Sequence, residues 1–201
     1  MADDLRTVRL QDGAIIHLRP VRPDDKALFV DAFERLTPDS RYRRFLSPHG
    51  RLTDRELRYF TEVDHHDHEA IVALDARNGD GIGVARSIRF PEHPETAEFA
   101  VTVTDDWQGR GVGTALLHEL VERARGEGIS RATATVLVSN RPSIELLREV
   151  GDPHVRNRDG GVEEVLIDLP EDGVGDLGAA LRHAADSMPD ARRAPRGPGS
   201  C

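Results

Sequence analysis

The segment Trp107-Gln108-Gly109-Arg110-Gly111-Val112-Gly113-Thr114 joins two stretches of different periodicity. Before it, Ala97 to Thr104 is rich in β-branched residues, with Phe99, Val101 and Val103 alternating on one face of a strand. After it, Val112, Leu116, Leu120 and Ala124 recur in helical register. Glycines at such a junction let the backbone turn tightly and let a ligand approach it closely. The free N–H groups and dipole of the helix start then favour an anion such as a pyrophosphate. A Walker loop would need a lysine before Thr114, where Gly113 stands. A dinucleotide-binding G-x-G-x-x-G fails as well: counted from Gly109 its third position is Thr114, and from Gly111 it is Leu116. The next strand, Ala132 to Val138, leads into Ser139-Asn140 instead of the acid that would hold a ribose.

Outward from this loop the chain reads as alternating short elements. Thr7 to Leu10 and Ala14 to Leu18 flank an Asp12-Gly13 turn and predict a hairpin. Pro23-Asp24-Asp25 opens a helix bearing Ala27, Phe33 and Leu36, and a second short helix follows Pro38 with Tyr42 and Phe45. Thr53-Asp54-Arg55-Glu56 is a capping box that begins a third. Strands are expected over Ala70–Leu74, Ile82–Phe90 and Arg131–Val138, with a loop over Pro91–Glu95 and a helix over Ser143–Val150. Two last strands surround Asp159-Gly160-Gly161. Beyond Pro170 the composition shifts: Leu177–Ala185 suggests a short helix, and Pro189–Gly199 has the makeup of a disordered tail.

Composition narrows the class of function. The 201 residues suit one full-sized domain, and the net charge of -9 argues against a general nucleic-acid binder. Cys201 is the only cysteine, so an intrachain disulfide is excluded. Met1 to Val8 is polar, unlike a signal peptide, and no apolar run approaches membrane-spanning length, so the expected location is the cytoplasm. Lys26 is the only lysine, which leaves almost no side-chain target for self-acetylation. Asp64-His65-His66-Asp67-His68 invites a metal reading, but consecutive loop ligands rarely match metal geometry and no cysteine accompanies them. A substrate contact is the better expectation for that cluster, and no metal site is expected.

The glycine loop resembles the signature of the GNAT superfamily of N-acetyltransferases, Gln/Arg-x-x-Gly-x-Gly/Ala, through Gln108, Gly111 and Gly113. Asn140-x-x-Ser143-x-x-Leu146-Leu147-x-x-x-Gly151 resembles that superfamily's helix beside the pantetheine arm. Leu18-Arg19-Pro20-Val21-Arg22-Pro23-Asp24-Asp25, Ser40-Arg41-Tyr42-Arg43-Arg44-Phe45 and Ala97-Glu98-Phe99-Ala100-Val101 are similar to its bacterial protein-lysine acetyltransferase branch. Larger members of that branch carry regulatory modules, and this length leaves no room for a cyclic-nucleotide-binding one.

The resemblance implies an α/β fold: a mixed, mostly antiparallel sheet, splayed at the cofactor site, with helices on both faces. It divides the chain into a lead-in strand (1–12), an acyltransferase domain (13–169) and a disordered tail (170–201). It implies acetyl-CoA as co-substrate and an amine acceptor, a protein lysine side chain first, with no nucleic acid or membrane partner. A small-molecule amine, or a catalytically silent acyl-CoA-binding role, are the alternatives. The backbones of Val101 and Val103 would face the pantetheine, and the N–H groups of Gly109, Arg110, Gly111, Val112, Gly113 and Thr114 the pyrophosphate. Gln108 belongs to the same loop, and Asn140 and Ser143 would line the distal wall. Glu98 matches the family's general base, and the N–H of Val101 its oxyanion donor. Leu147 stands where many members place a tyrosine acid; Tyr42 and Tyr59 are the residues left to substitute, or to serve in packing.

Overall fold

The structure is a computed structural model that describes residues 5–186. Strands β1 (Arg6–Arg9) and β2 (Ile15–Pro20) form the expected hairpin. Gly13 adopts φ 86° at its turn, and the Asp12 carboxylate accepts the Ala14 N–H at 3.0 Å. A short 3-10 turn, Pro23–Asp25, precedes α1 (Lys26–Glu34). Asp25 anchors that turn to β2 through a bidentate pair with Arg19, both bonds 2.7 Å. Helix α2 (Pro38–Phe45) starts where Thr37 accepts the Ser40 N–H, and α3 (Asp54–Thr61) starts on the Thr53–Glu56 capping box.

Strands β3 (His68–Asp75), β4 (Gly81–Phe90) and β5 (His93–Val103) continue the sheet antiparallel. The loop expected over Pro91–Glu95 is shorter than that, because β5 already begins at His93. Cross-links hold the extra residues in place: Ser130 N donates to Glu95 O at 2.9 Å, Arg131 pairs with Glu95, and Arg89 donates to Pro94 O.

A 3-10 turn, Asp105–Trp107, leads through the glycine loop to α4 (Val112–Gly126). Then follow β6 (Arg131–Leu137), α5 (Arg141–Arg148), β7 (His154–Asp159), β8 (Val162–Asp168) and α6 (Leu177–Asp186). The sheet order is β1-β2-β3-β4-β5-β6-β8-β7, antiparallel except at β5–β6. The expected mixed, mostly antiparallel sheet with helices on both faces is what the chain forms.

Period-two alternation sends the sheet's apolar residues to two sides. Ile71, Ala73, Ile82 and Phe99 pack with Leu116, Leu117 and Leu120 of α4 in the main core. Ala70, Val72 and Val84 pack on the opposite face with Phe29 of α1. A separate cluster joins Ile144 and Leu147 of α5 to Ala134, Val136, Val165 and Ile167. Helix α6 forms where the short helix over Leu177–Ala185 was expected, and Val174, Leu177 and Leu181 join it to the main core. Pro189–Gly199 lies outside the described residues. Among the described residues, no helix is long and apolar enough to cross a membrane.

Gly151 follows α5 where the chain turns back beneath β8. A Cβ there would sit 2.6 Å from Ile167 Cγ2 and 2.8 Å from the Asp168 carbonyl oxygen. Gly151→Ala is therefore expected to lower stability by about 1–3 kcal/mol, read from the urea unfolding midpoint.

Candidate active site

Strands β5 and β6 pair over only Thr96↔Arg131, Ala97↔Ala132 and Glu98↔Thr133. Past that point β5 stays with β4 and β6 stays with β8, so the two diverge. The space between them is a cleft of about 1270 Å³. Its walls include the backbone of β5 from Glu98 to Val103, the glycine loop, and α5. The side chains of Val101 and Val103 pack against the main core, and both residues line the cleft.

Gly109 and Gly111 adopt φ 72° and 88°, a region that disfavours any side chain. Gly111 is the N-cap of α4, and its carbonyl accepts the first intrahelical bond, from Ala115 N at 3.0 Å. The N–H groups of Val112, Gly113 and Thr114 thus have no partner one turn back, as at any helix start. A Cβ at Gly113 would press on Leu146 Cδ2 at 3.3 Å, so this glycine keeps α5 close.

The loop is braced from outside. The Arg110 guanidinium stacks 3.8 Å over the buried Trp107 ring and pairs with Asp12 at 2.6 Å. Gln108 spends its side-chain amide on Val103 O (3.0 Å) and Ser40 Oγ (3.3 Å), so it fixes the loop to β5 and α2. Asp105 completes the joint by accepting from Thr37 N, Thr37 Oγ1 and Ser40 Oγ. Burial opposes ionisation of Asp105, yet these donors hold its carboxyl below the usual range.

Asn140 is buried at the N-cap of α5, but its side chain donates to Ser143 Oγ at 2.7 Å and caps no backbone N–H. Both residues line the cleft. Leu147 does too, and its side chain is rooted in the α5 core cluster. Tyr42 and Tyr59 are 44% and 50% exposed and neither lines the cleft; Tyr59 packs its ring against Phe60 at 5.6 Å and His68 at 5.0 Å, as a packing residue would.

Glu98 is exposed at the point where the ladder ends. On its face of the sheet, Arg86 of β4 lies directly opposite Ala100. The Arg86 side chain is buried; it donates to Phe60 O at 3.0 Å and to His68 Nε2, and covers the Phe60 ring at 4.8 Å. Burial, helped by the Arg44 charge, lowers its pKa to about 9. Arg44 of α2 reaches the same region; burial lowers its pKa and the Glu98 carboxylate works against that. Sequence reading assigned neither arginine a role. The one available signal was a charged residue inside the apolar run Ile82-Gly83-Val84-Ala85-Arg86.

The histidine cluster diverges. Asp64 caps the backbone N–H groups of His66, Asp67 and His68, each at 2.9 Å. His65 pairs with Glu69, His66 with Glu127 and His68 with Arg86. None of the three lines the cleft.

Residues 30–151 match the acetyltransferase (GNAT) family, and the chain belongs to that family. It is 34% identical over 163 residues to acetyltransferase Pat of Mycolicibacterium smegmatis, covering 81% of this chain and 48% of that protein. The chain thus spans about half the length of this relative. The GNAT domain of S. lividans PAT aligns with a TM-score of 0.76 at 31% identity, covering 82% of this chain and 97% of that one. A phosphinothricin acetyltransferase of Sinorhizobium meliloti, solved in complex with acetyl-CoA, shares the fold with a TM-score of 0.62 at 22% identity; the match covers 77% of this chain and 88% of that one.

Because Arg86 donates to His68 Nε2, that imidazole must stay neutral; burial and the guanidinium lower its pKa from 6.5 to about 4. Between those values the unfolded chain binds a proton that the folded one does not, so stability falls as pH drops from 6.5 towards about 4. Urea midpoints at pH 7 and pH 5 should differ less in His68→Gln, which keeps an acceptor for Arg86 without a titrating group.

Proposed function

We propose that this chain transfers the acetyl group of acetyl-CoA to a primary amine by direct attack on the thioester. The observation that carries the reading is the parting of β5 and β6 immediately in front of the α4 N-terminus. Exposed strand backbone suits the amides of a pantetheine arm, and the first N–H groups of α4 suit a pyrophosphate. A Cβ at Gly111 would press on Leu181 and one at Gly113 on Leu146, so these glycines let the loop lie close against its own neighbours. Asn140 and Ser143 flank the cleft from α5. The acetyl-CoA complex of the Sinorhizobium relative supports the choice of co-substrate.

Bound acetyl-CoA supplies an activated carbonyl and a thiol leaving group. An alkylamine with a pKa near ~10.4 is mostly protonated at neutral pH, so a base beside it is needed. Glu98 stands where the cleft begins and takes that proton in this reading. The Val101 N–H, on the strand that has lost its partner, donates to the carbonyl oxygen as charge builds there. With Leu147 unable to protonate the departing sulfur, the group leaves as thiolate, which a thiol pKa of about 8.5 allows.

For the acceptor, the likeness of Ser40–Phe45 and Leu18–Asp25 to the protein-lysine branch supports a lysine side chain of a protein. Arg44, which lines the cleft with Glu98 and feels its charge, supports a second reading, a small amine that also carries an anionic group.

Glu98→Gln is expected to retain the thermal shift given by acetyl-CoA while turnover falls on the order of 10²–10⁴-fold. Unchanged turnover would remove Glu98 from the mechanism. Absence of any shift in the wild-type protein would remove acetyl-CoA.

A further inference from the structure

Helix α6 lies beyond residues 30–151, which match the family, and its Leu181 nevertheless forms part of the cleft wall. Leu181 is 5% exposed and belongs to the main core. Its Cδ2 stands 2.7 Å from the point that a Cβ on Gly111 would occupy, and Leu10 Cδ2 stands 3.9 Å from the same point. Gly111, at φ 88°, is the N-cap residue from which α4 starts. Side chains from the β1–β2 hairpin and from α6 thus fill the space left by the side chain this glycine lacks.

Three sets of contacts hold α6 in that place. Arg125, in the last turn of α4, donates to Leu169 O at 3.4 Å and to Glu171 O. The Glu122 carboxylate accepts the Val174 N–H at 3.3 Å. Gly173, at φ 82°, passes so close that a Cβ there would lie 2.9 Å from Glu122 Oε1. Asp176 then accepts from the N–H groups of Gly178 and Ala179, at 3.2 and 2.9 Å, and starts the helix. Leu177 and Leu181, one turn apart, both pack on the main core, but only Leu181 lines the cleft.

Glycine loses more backbone freedom on ordering than any other residue. Without a brace, Gly111 would carry the first N–H groups of α4 through several orientations. We infer that α6 completes the co-substrate site, with Leu181 as a positioning residue. It presses on Gly111 and fixes the N–H groups of Val112, Gly113 and Thr114 before the pyrophosphate arrives, so less ordering entropy is lost on binding. The inference rests on the acetyl-CoA reading and gives a role to a segment outside the matched region.

The test is calorimetric titration of the full chain with CoA, in wild type, Leu181→Ala, Leu181→Met and Leu177→Ala, beside the melting temperature of each. Leu181→Ala should raise the Kd for CoA on the order of 10-fold, the cost of ordering a few freed groups. Leu181→Met, which restores the bulk, should recover most of that loss. Leu177→Ala should lower the melting temperature and leave the Kd unchanged, which separates bracing of the loop from general loosening. If Leu181→Ala does not fold, Leu181→Val should show a smaller rise in Kd in the same direction. A wild-type Kd in the Leu181 variants, or an equal rise in Leu177→Ala, would overturn the role of Leu181 and leave the acetyl-CoA reading standing. No binding of CoA to the wild type would overturn both.

Discussion

Past Glu98 and Thr133, β5 and β6 stop sharing hydrogen bonds, and the rest of the molecule is arranged around that break. Parting two strands in the middle of a sheet exposes main-chain donors and acceptors that need other partners. The break persists because each strand is held by its own helix. Phe99 of β5 belongs to the main core with α4, whereas Ala134 and Val136 of β6 belong to the smaller cluster with α5. Ala132, one residue before the ladder ends, is still in the main core. The hydrophobic core thus divides at the same residue as the hydrogen bonding, and the cleft is the seam.

The two ends of the cleft are mechanically joined. Asp105 and Gln108 tie the glycine loop to Thr37 and Ser40 at the start of α2, and the same short helix places Arg44 and Phe45 in the wall of the cleft. Arg110, stacked on Trp107 and paired with Asp12, ties the loop to the β1–β2 turn. The loop's backbone is therefore set before a ligand arrives, which limits the ordering entropy lost on binding. A helix N-terminus, two left-handed glycines and fixed flanks are the features on which the proposed pyrophosphate site rests.

Much of this was legible in the residues. Gly109 and Gly111 announce left-handed backbone, Thr53 and Glu56 announce a helix start, and the Asp12-Gly13 turn sets the first hairpin. Each is a local rule acting on neighbours in sequence. The nearness of Arg44 and Arg86 was not legible, because distant elements make it: α2 meets β4 only once the helices settle on the sheet. The placement of Tyr42 and Tyr59 was not legible for the same reason, since helix rotation decides where a side chain points. The early start of β5 at His93 and the packing of α6 both depend on long-range partners, Ser130 and Arg131 for one and the main core for the other.

The most direct measurement is amide hydrogen exchange of the protein with and without acetyl-CoA. If the seam between β5 and β6 holds the co-substrate, protection should rise at the amides of 99–103 and 109–114 and remain unchanged in β1, at the far edge of the sheet. Binding accompanied by protection elsewhere, with those two segments exchanging as before, would contradict the assignment of the cleft.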